Sequence, residues 1–209
     1  MKKKNKDPQK TKTAIMKAAC LIFAKNNYTD ASIRMIAREG GFPHASIRYY
    51  YPTKADLFDA VAEKICNELY IECEESVIEI SSMDRLEGFS HYVKRMIDFS
   101  QKSPWIFRFF LLNISSETVG TIPGHARIIG MIESVRGMMV KVLKFKSSNE
   151  DFYRFSDSFN ALTFYYLGTP ESASWLLRFD PDSDDYYNWV HKTLVDIFLP
   201  TLKKLFQDS

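Results

Sequence analysis

The side chains best suited to recognise another molecule lie between Ala31 and Lys54, where polar and basic residues surround a small apolar set. The segment predicts two short helices, 33–39 and one begun by Pro43. Gly40-Gly41 separates them, because glycine takes positive φ without strain and proline costs little at a helix start. The apolar residues that would fix the crossing of the two helices are Ile33, Ile36, Ala37, Phe42 and Ile47. This is the plan of a helix-turn-helix, whose second helix fits the major groove of DNA.

The polar and basic residues of the same segment are left outside that apolar core. Side chains in the first turn of a groove-binding helix reach base edges, and hydroxyls, amides and cations on either side bind phosphates. The alternative is a structural pair of helices with half-buried tyrosines and no DNA contact. The candidate DNA-binding residues are Ser32, Arg34, Pro43, His44, Ala45, Ser46, Arg48, Tyr49, Tyr50 and Lys54.

The charge of the chain is concentrated at its N-terminal end. Residues 1–54 hold nine lysines and three arginines against three acidic residues, a net charge of +9, so residues 55–209 carry −7 of the total of +2. A basic head on an acidic body favours a polyanionic partner for the head alone. A solvated lysine tail is the simpler alternative.

The periodicity predicts an all-α protein of about nine helices, because apolar residues recur at three- and four-residue intervals and no strand-like alternation persists. We expect residues 1–53 to form a basic tail and a three-helix head, and residues 54–209 a helical ligand-binding and dimerisation body. Thr53 and Asp56 form a capping-box pattern, and Gly168-Thr169-Pro170 should kink or split a helix. Beyond the first three helices, the predicted ranges are 54–80, 84–102, 104–115, 123–146, 151–179 and 183–207.

The run from Lys12 to Leu69 resembles the DNA-binding domain of TetR-family transcriptional repressors. The resemblance is carried by Ala18-Ala19, Phe23 and Tyr28, by Ser32-Ile33-Arg34-x-Ile36-Ala37 and Gly41-Phe42, and by Ser46-Ile47-x-Tyr49-Tyr50-Tyr51-Pro52-x-Lys54-x-x-Leu57. It implies a homodimer that binds a palindromic operator on double-stranded DNA and is released by a small inducer.

The resemblance also implies roles for single residues. Ser32, Ser46, Tyr49, Tyr50 and Lys54 would contact phosphates, whereas Arg34, His44 and Ala45 would lie at base edges. The chain departs from the family pattern at three positions: Arg48 replaces the usual Tyr, Pro43 the usual Ser cap and Tyr51 the usual Phe. These departures bear on the operator sequence rather than on the fold.

The C-terminal body is rich in aromatic residues and methionine, which favours either a plain core or an apolar ligand pocket. Candidate pocket residues are His91, Met96, Phe109, Asn113, Met131, Phe159, Asn160 and Thr163. The last helices carry apolar faces suited to a four-helix dimer interface, although packing within one protomer could use them as well. Candidate interface residues are Phe159, Tyr166, Trp175, Leu176, Trp189, Leu194, Ile197, Phe198 and Leu202.

Other classes of function find little support in the sequence. Asp180-x-Asp182-x-Asp184 lacks the glycine and the terminal glutamate of a calcium loop, and no nucleotide-binding or hydrolase motif is present. We therefore expect no enzyme activity, no metal and no cofactor. The three cysteines are expected to be reduced packing residues, and the absence of a long apolar run predicts a cytoplasmic protein without a membrane partner. Two alternatives stay open: an interaction module with degenerate DNA recognition, and an activator or nonspecific DNA binder without an inducer.

Overall fold

The computed structural model describes residues 8–114 and 122–207, and within these ranges it contains ten α-helices and no strand. The lysine-rich tail and most of the predicted loop 116–123 lie outside the described residues. The helices are α1 (Pro8–Lys25), α2 (Ile33–Gly40), α3 (His44–Tyr50), α4 (Lys54–Ile80), α5 (Arg85–Lys102), α6 (Trp105–Ile114), α7 (His125–Leu143), α8 (Asn149–Gly168), α9 (Pro170–Leu177) and α10 (Asp184–Leu205).

The head consists of α1, α2 and α3, and capping residues delimit its short helices. The Ser32 hydroxyl accepts a hydrogen bond from the Met35 N–H at 3.3 Å and caps α2. Gly41 ends that helix at φ +66°, in the left-handed region. Pro43 differs slightly from its prediction: it is the residue before α3 rather than its first residue, with an extended ψ of 140°.

The body is built around the long helix α4, which begins at the predicted capping box of Thr53 and Asp56. Helices α5 and α7 pack against α4, α8 packs against α6, and α10 covers α5 and α8. The predicted break at Gly168-Thr169-Pro170 is a complete split, so that α8 and α9 are separate helices. A Cβ atom at Gly168 would lie 3.1 Å from the Phe107 carbonyl oxygen, so this glycine allows α8 to approach α6 closely.

One hydrophobic core runs through head and body. The ring of Phe58 on α4 packs edge-on against Phe23 of α1 at 4.8 Å and stacks on Phe109 of α6 at 5.4 Å between ring centroids. The boundary between residues 53 and 54 therefore separates two functional regions that share packing, and their division into domains stays a prediction.

The three cysteines are free and buried in this core. Burial raises the pKa of each thiol to about 12, so that none is present as the reactive thiolate at neutral pH. In the described ranges, no helix has both the length and the apolar composition needed to cross a membrane.

Candidate nucleic-acid interface and ligand cavity

Helix α3 is held to the head by one face only. Ile47 is fully buried, whereas Ala45, Arg48 and Tyr49 are exposed and His44 and Ser46 are partly exposed. This arrangement leaves the outer face of α3 free to enter a groove, because the small core formed with α1 and α2 uses only the inner face.

The predicted DNA-binding residues form a continuous surface around this face. Arg34 is exposed on the first turn of α2, and Ser32 precedes it with its hydroxyl oriented towards the backbone N–H groups of that turn. Pro43 is exposed and begins the turn into α3. A helix N-terminus with a hydroxyl beside it suits phosphate binding, since the N–H groups of the first turn carry partial positive charge.

The two tyrosines at the end of α3 have different environments. Tyr49 is 82% exposed, which is rare for so large an aromatic side chain. Tyr50 lies edge-on to it at 5.0 Å, and its hydroxyl donates a hydrogen bond to the Pro8 carbonyl at 3.1 Å. Tyr50 therefore links the end of α3 to the start of α1, directly after the lysine-rich tail in sequence.

Lys54 is engaged within the chain, although the sequence predicts a phosphate contact for it. Its ammonium group donates to the carbonyls of Tyr28, Ala31 and Thr29 at 2.8, 3.1 and 3.4 Å, and it lies 4.4 Å from the centre of the Tyr28 ring. These carbonyls account for all three N–H groups of the ammonium. In this state, Lys54 ties the first turn of α4 to the connection between α1 and α2.

Asn113 reaches the same connection from the body. Its Oδ1 accepts a hydrogen bond from the Tyr28 N–H at 3.0 Å, and its Nδ2 donates to the carbonyls of Phe109 at 2.8 Å and Phe23 at 3.4 Å. The side chain is buried and its polar atoms are all satisfied. Asn113 thus joins α6 to the head, and the pocket role expected for this residue stays a prediction.

A second polar link joins α7 to the first half of α4. Arg127 forms a bidentate pair with Asp59, with nitrogen–oxygen distances of 2.8 and 2.9 Å. The guanidinium holds the pKa of the Asp59 carboxyl below its usual value through these hydrogen bonds. Neither residue carries a signal in the sequence, because nothing in the spacing of a lone aspartate and a distant arginine indicates that they meet.

A cavity of about 390 Å³ lies in the body between α4, α5, α7, α8 and α10. Its walls are mainly aromatic rings and methionine side chains. Among the eight predicted pocket residues, five line it: Met96, Met131, Phe159, Asn160 and Thr163. The size and lining are those of a small-molecule site.

The other three predicted pocket residues, His91, Phe109 and Asn113, are not among the residues that line this cavity. Phe109 belongs to the core between head and body, where its ring stacks on Phe58. The Nε2 atom of His91 lies 3.1 Å from the Glu79 carboxylate. A helical stripe predicts that a residue faces an interior, but it does not predict which neighbour covers that face.

Polar groups in the cavity follow one line along α8. Ser156, Asn160 and Thr163 are spaced so that they share a helix face, and Ser156 accepts a hydrogen bond from the Arg136 Nε at 2.8 Å. Thr163 is 3% exposed, and its hydroxyl has no hydrogen-bond partner among the described residues. A buried, unpaired hydroxyl in a cavity wall is a point where a ligand can bind.

The predicted dimer-interface residues fall into two groups. Phe159, Leu194, Phe198 and Leu202 are buried within the protomer, and their part in an interface stays a prediction. Tyr166 and Trp189 are half-buried and pack edge-on at 5.4 Å. Trp175, Leu176 and Ile197 remain open, with exposed fractions of 77%, 67% and 50%.

A three-helix head whose helix α3 leaves its outer face open, followed by a helical body around an apolar cavity, is the arrangement of a helix-turn-helix protein. Residues 15–61 match the family model described as bacterial regulatory proteins, tetR family. This part of the chain is therefore similar to the TetR family, and the whole chain has the fold of solved TetR-family regulators.

Several solved structures resemble the whole chain. A tetR-family regulator from Streptomyces coelicolor superimposes with a TM-score of 0.63 at 15% identity, over 92% of this chain and 80% of that one. HlyIIR, a hemolysin II transcriptional regulator, superimposes with a TM-score of 0.59 at 17% identity, over 97% of this chain and 100% of that one. FadR from Bacillus subtilis, in complex with stearoyl-CoA, superimposes with a TM-score of 0.58 at 13% identity, over 95% of this chain and 99% of that one.

Proposed function

We propose that the protein is a homodimeric repressor that binds a palindromic operator through α3 and is released by a small, largely apolar ligand in the body. The observation that carries the proposal is the free outer face of α3, where His44, Arg48 and Tyr49 project from a helix whose inner face is fixed by Ile47.

The residues of this face divide by chemistry. His44 and Arg48 have side chains that hydrogen-bond base edges, and arginine pairs well with guanine. Tyr49 and Ser46 offer neutral donors to phosphates, and Arg34 adds a cation beside them. Lys54 stabilises this surface without contacting DNA itself, because its ammonium group donates hydrogen bonds to the connection between α1 and α2.

A dimer is needed because one short helix reads only a half-site. Two heads placed about 34–36 Å apart, one turn of the double helix, would bind both halves of a palindrome. Trp175, Leu176 and Ile197 are the large apolar side chains left open on α9 and α10, and burying them against a second copy would remove this exposed surface.

Ligand control would act through α6 and α7. Helix α6 lines the cavity at Phe107 and is linked to the head by Asn113, whereas α7 lines the cavity at Met131 and is linked to the first half of α4 by Arg127. A ligand that shifts α6 would act on the head through Asn113, and this would change the spacing of the two recognition helices. FadR from Bacillus subtilis, solved with stearoyl-CoA, is a neighbour of the same fold with a bound ligand.

The DNA-binding part is tested by selecting bound fragments from random DNA with the full-length protein and then measuring affinity against salt. We expect a palindromic site and a steep loss of affinity between about 50 and 200 mM salt. His44→Ala and Arg48→Ala should weaken binding and relax base preference, by about 1–3 kcal/mol for a bidentate contact. Lys141→Ala, an exposed lysine near the far end of α7, is the matched control.

The dimer is tested separately by sedimentation of the Trp175→Ser variant. We expect a shift towards monomer and a loss of operator affinity, with the helical content unchanged. A protein without saturable DNA binding would be the interaction module considered as the alternative. Displacement by random DNA as effective as that by the selected site would instead identify a nonspecific binder.

A further inference from the structure

We propose that the cavity takes an elongated amphiphilic anion, with its charged head between Arg85 and Lys144 and its apolar chain lying along α8 towards Thr163. The proposal rests on the proposed function, because it names the ligand class for the cavity of that regulator. It is carried by the charges, the rings and the unpaired hydroxyl that line the cavity.

The charged residues that line the cavity are all basic. Three cationic residues, Arg85, Arg136 and Lys144, line the cavity, whereas no aspartate or glutamate lines it in the part of the chain that the structure describes. Arg136 is already engaged by Ser156 and Asp157. Arg85 and Lys144, which are both exposed at the rim of the cavity, therefore remain for a ligand, and cations beside an apolar cavity favour an anionic ligand over a cationic one.

Arg85 and Lys144 lie at the same end of the cavity, as a chain of ring contacts shows. The Arg85 guanidinium lies 4.0 Å from the centre of the Phe206 ring. That ring is 4.8 Å from the ring of Phe145, the residue after Lys144. The N-terminus of α5 and the C-termini of α7 and α10 thus converge here and bring both cations to one end.

From the cationic end, one wall of the cavity follows α8. The Phe145 ring stacks on Phe152, at 4.6 Å, near the start of that helix. From Phe152 to Thr163 the helix rises about 16 Å, so the cavity wall is long enough for an extended acyl chain. Phe155 and Phe159 lie between them with nearly parallel rings, 6.2 Å apart, and provide a smooth apolar wall.

Thr163, at the inner end of this wall, indicates that the ligand carries a polar atom there. Its buried hydroxyl has no partner within residues 8–114 and 122–207, and Asn160, one turn earlier, also lines the cavity. An oxygen on the ligand chain would satisfy this hydroxyl, since a buried polar group left unpaired is costly. The favoured ligand is therefore an acyl-type anion with an oxygen far from its head group.

The test uses the purified full-length protein and a matched series of dodecyl ligands: laurate, dodecanol, dodecylammonium and ω-hydroxylaurate. Calorimetric titration below the aggregation concentration of each ligand gives its affinity. We expect laurate to bind about tenfold or more tightly than dodecylammonium, with dodecanol between them. Equal binding of all three head groups would overturn the head assignment.

Variants locate the two ends of the ligand. Arg85→Gln with Lys144→Gln should weaken laurate binding about tenfold and leave dodecanol unchanged, because a hydrogen bond to a charged group is lost for laurate alone. Lys192→Gln removes an exposed lysine of α10 that does not line the cavity, and it should change neither affinity. An equal loss for laurate and dodecanol in the double variant would contradict the proposal.

Thr163→Val keeps the shape of the side chain and removes its hydroxyl. It should weaken ω-hydroxylaurate several-fold and leave laurate unchanged or tighter. A loss shared by both ligands would refute the contact with a chain oxygen. The failure of the proposed function is distinguishable from these results: laurate that binds as expected without changing affinity for the selected DNA would refute ligand control and leave the ligand class standing.

Discussion

The Asn113 link between head and body gives the sharpest prediction from this structure, through the substitution Asn113→Asp. The two side chains have the same shape, but an ionised aspartate only accepts hydrogen bonds. One oxygen would still accept from the Tyr28 N–H, whereas the other would face the carbonyl oxygens of Phe109 and Phe23 at the 2.8 and 3.4 Å positions of the amide nitrogen.

The loss of stability in this variant follows from the burial of the new carboxyl group. A buried, uncompensated charge destabilises a protein by about 3 kcal/mol or more. Protonation relieves the conflict, because the acid O–H would donate to the Phe109 carbonyl in place of the amide. The pKa of the new carboxyl must therefore be higher in the folded state than its unfolded value of about 3.9.

The sign of the pH dependence is then fixed. Because the folded variant binds more protons than the unfolded chain, its stability relative to the wild type falls as pH rises above about 4, by about 1.4 kcal/mol per pH unit at most. The fall ends at the folded pKa. Below pH 4 a deficit of about 1 kcal/mol remains, since one of the two donors of the amide is missing.

Urea unfolding of wild type and variant across this pH range measures the effect. Asn188→Asp introduces the same charge at an exposed position of α10 and should show no comparable pH dependence. A difference between Asn113→Asp and wild type that is constant from acid to neutral pH would refute the reasoning, because it would mean that the carboxylate is solvated or has rotated away from the carbonyls.

Three further predictions test other parts of the molecule. Asp59→Asn should reduce the free energy of unfolding by about 0.5–1 kcal/mol at neutral pH, because the pair with Arg127 is partly solvated. The difference should vanish as pH falls through the depressed pKa of Asp59, where the wild-type pair is also lost. Gly41→Ala should cost about 1 kcal/mol through its φ of +66° alone, since a Cβ would meet nothing within 4 Å, and thermal unfolding measures this. The three buried thiols should react with iodoacetamide only at the rate of unfolding, and fast labelling of the native protein would contradict their burial.

The fold could be predicted well from the sequence wherever a local signal determines it. The capping box of Thr53 and Asp56 forms as expected, and the break near Gly168 separates two helices as predicted. These signals are local because caps and breakers act on the backbone within one turn. The helix count differed by one, since the split at this break produces α9.

The site was predictable only where function is tied to one segment. All candidate DNA-binding residues lie on or beside α2 and α3, because a recognition helix and its neighbours are contiguous in sequence. The cavity and the interface instead depend on which helix faces which. Periodicity indicates that Phe159 and Phe198 are buried, but it does not show that their rings pack against each other within one protomer, 5.3 Å apart.

Lys54 and Asn113 show why the connection between cavity and head escaped the sequence. Neither residue belongs to a periodic stripe that predicts its partner, and both bind the same short connection, at the carbonyl and at the N–H of Tyr28. An allosteric effect of about 1–3 kcal/mol is of the same size as one or two such hydrogen bonds. A response to a ligand therefore needs no large rearrangement. A shift of α6 would lengthen the hydrogen bond between Asn113 and Tyr28, and of these two side chains Lys54 alone would then hold the connection. In the proposed dimer, the position of each α3 would depend on this balance, and for that reason we expect the polar links, rather than the apolar core, to be the route of control.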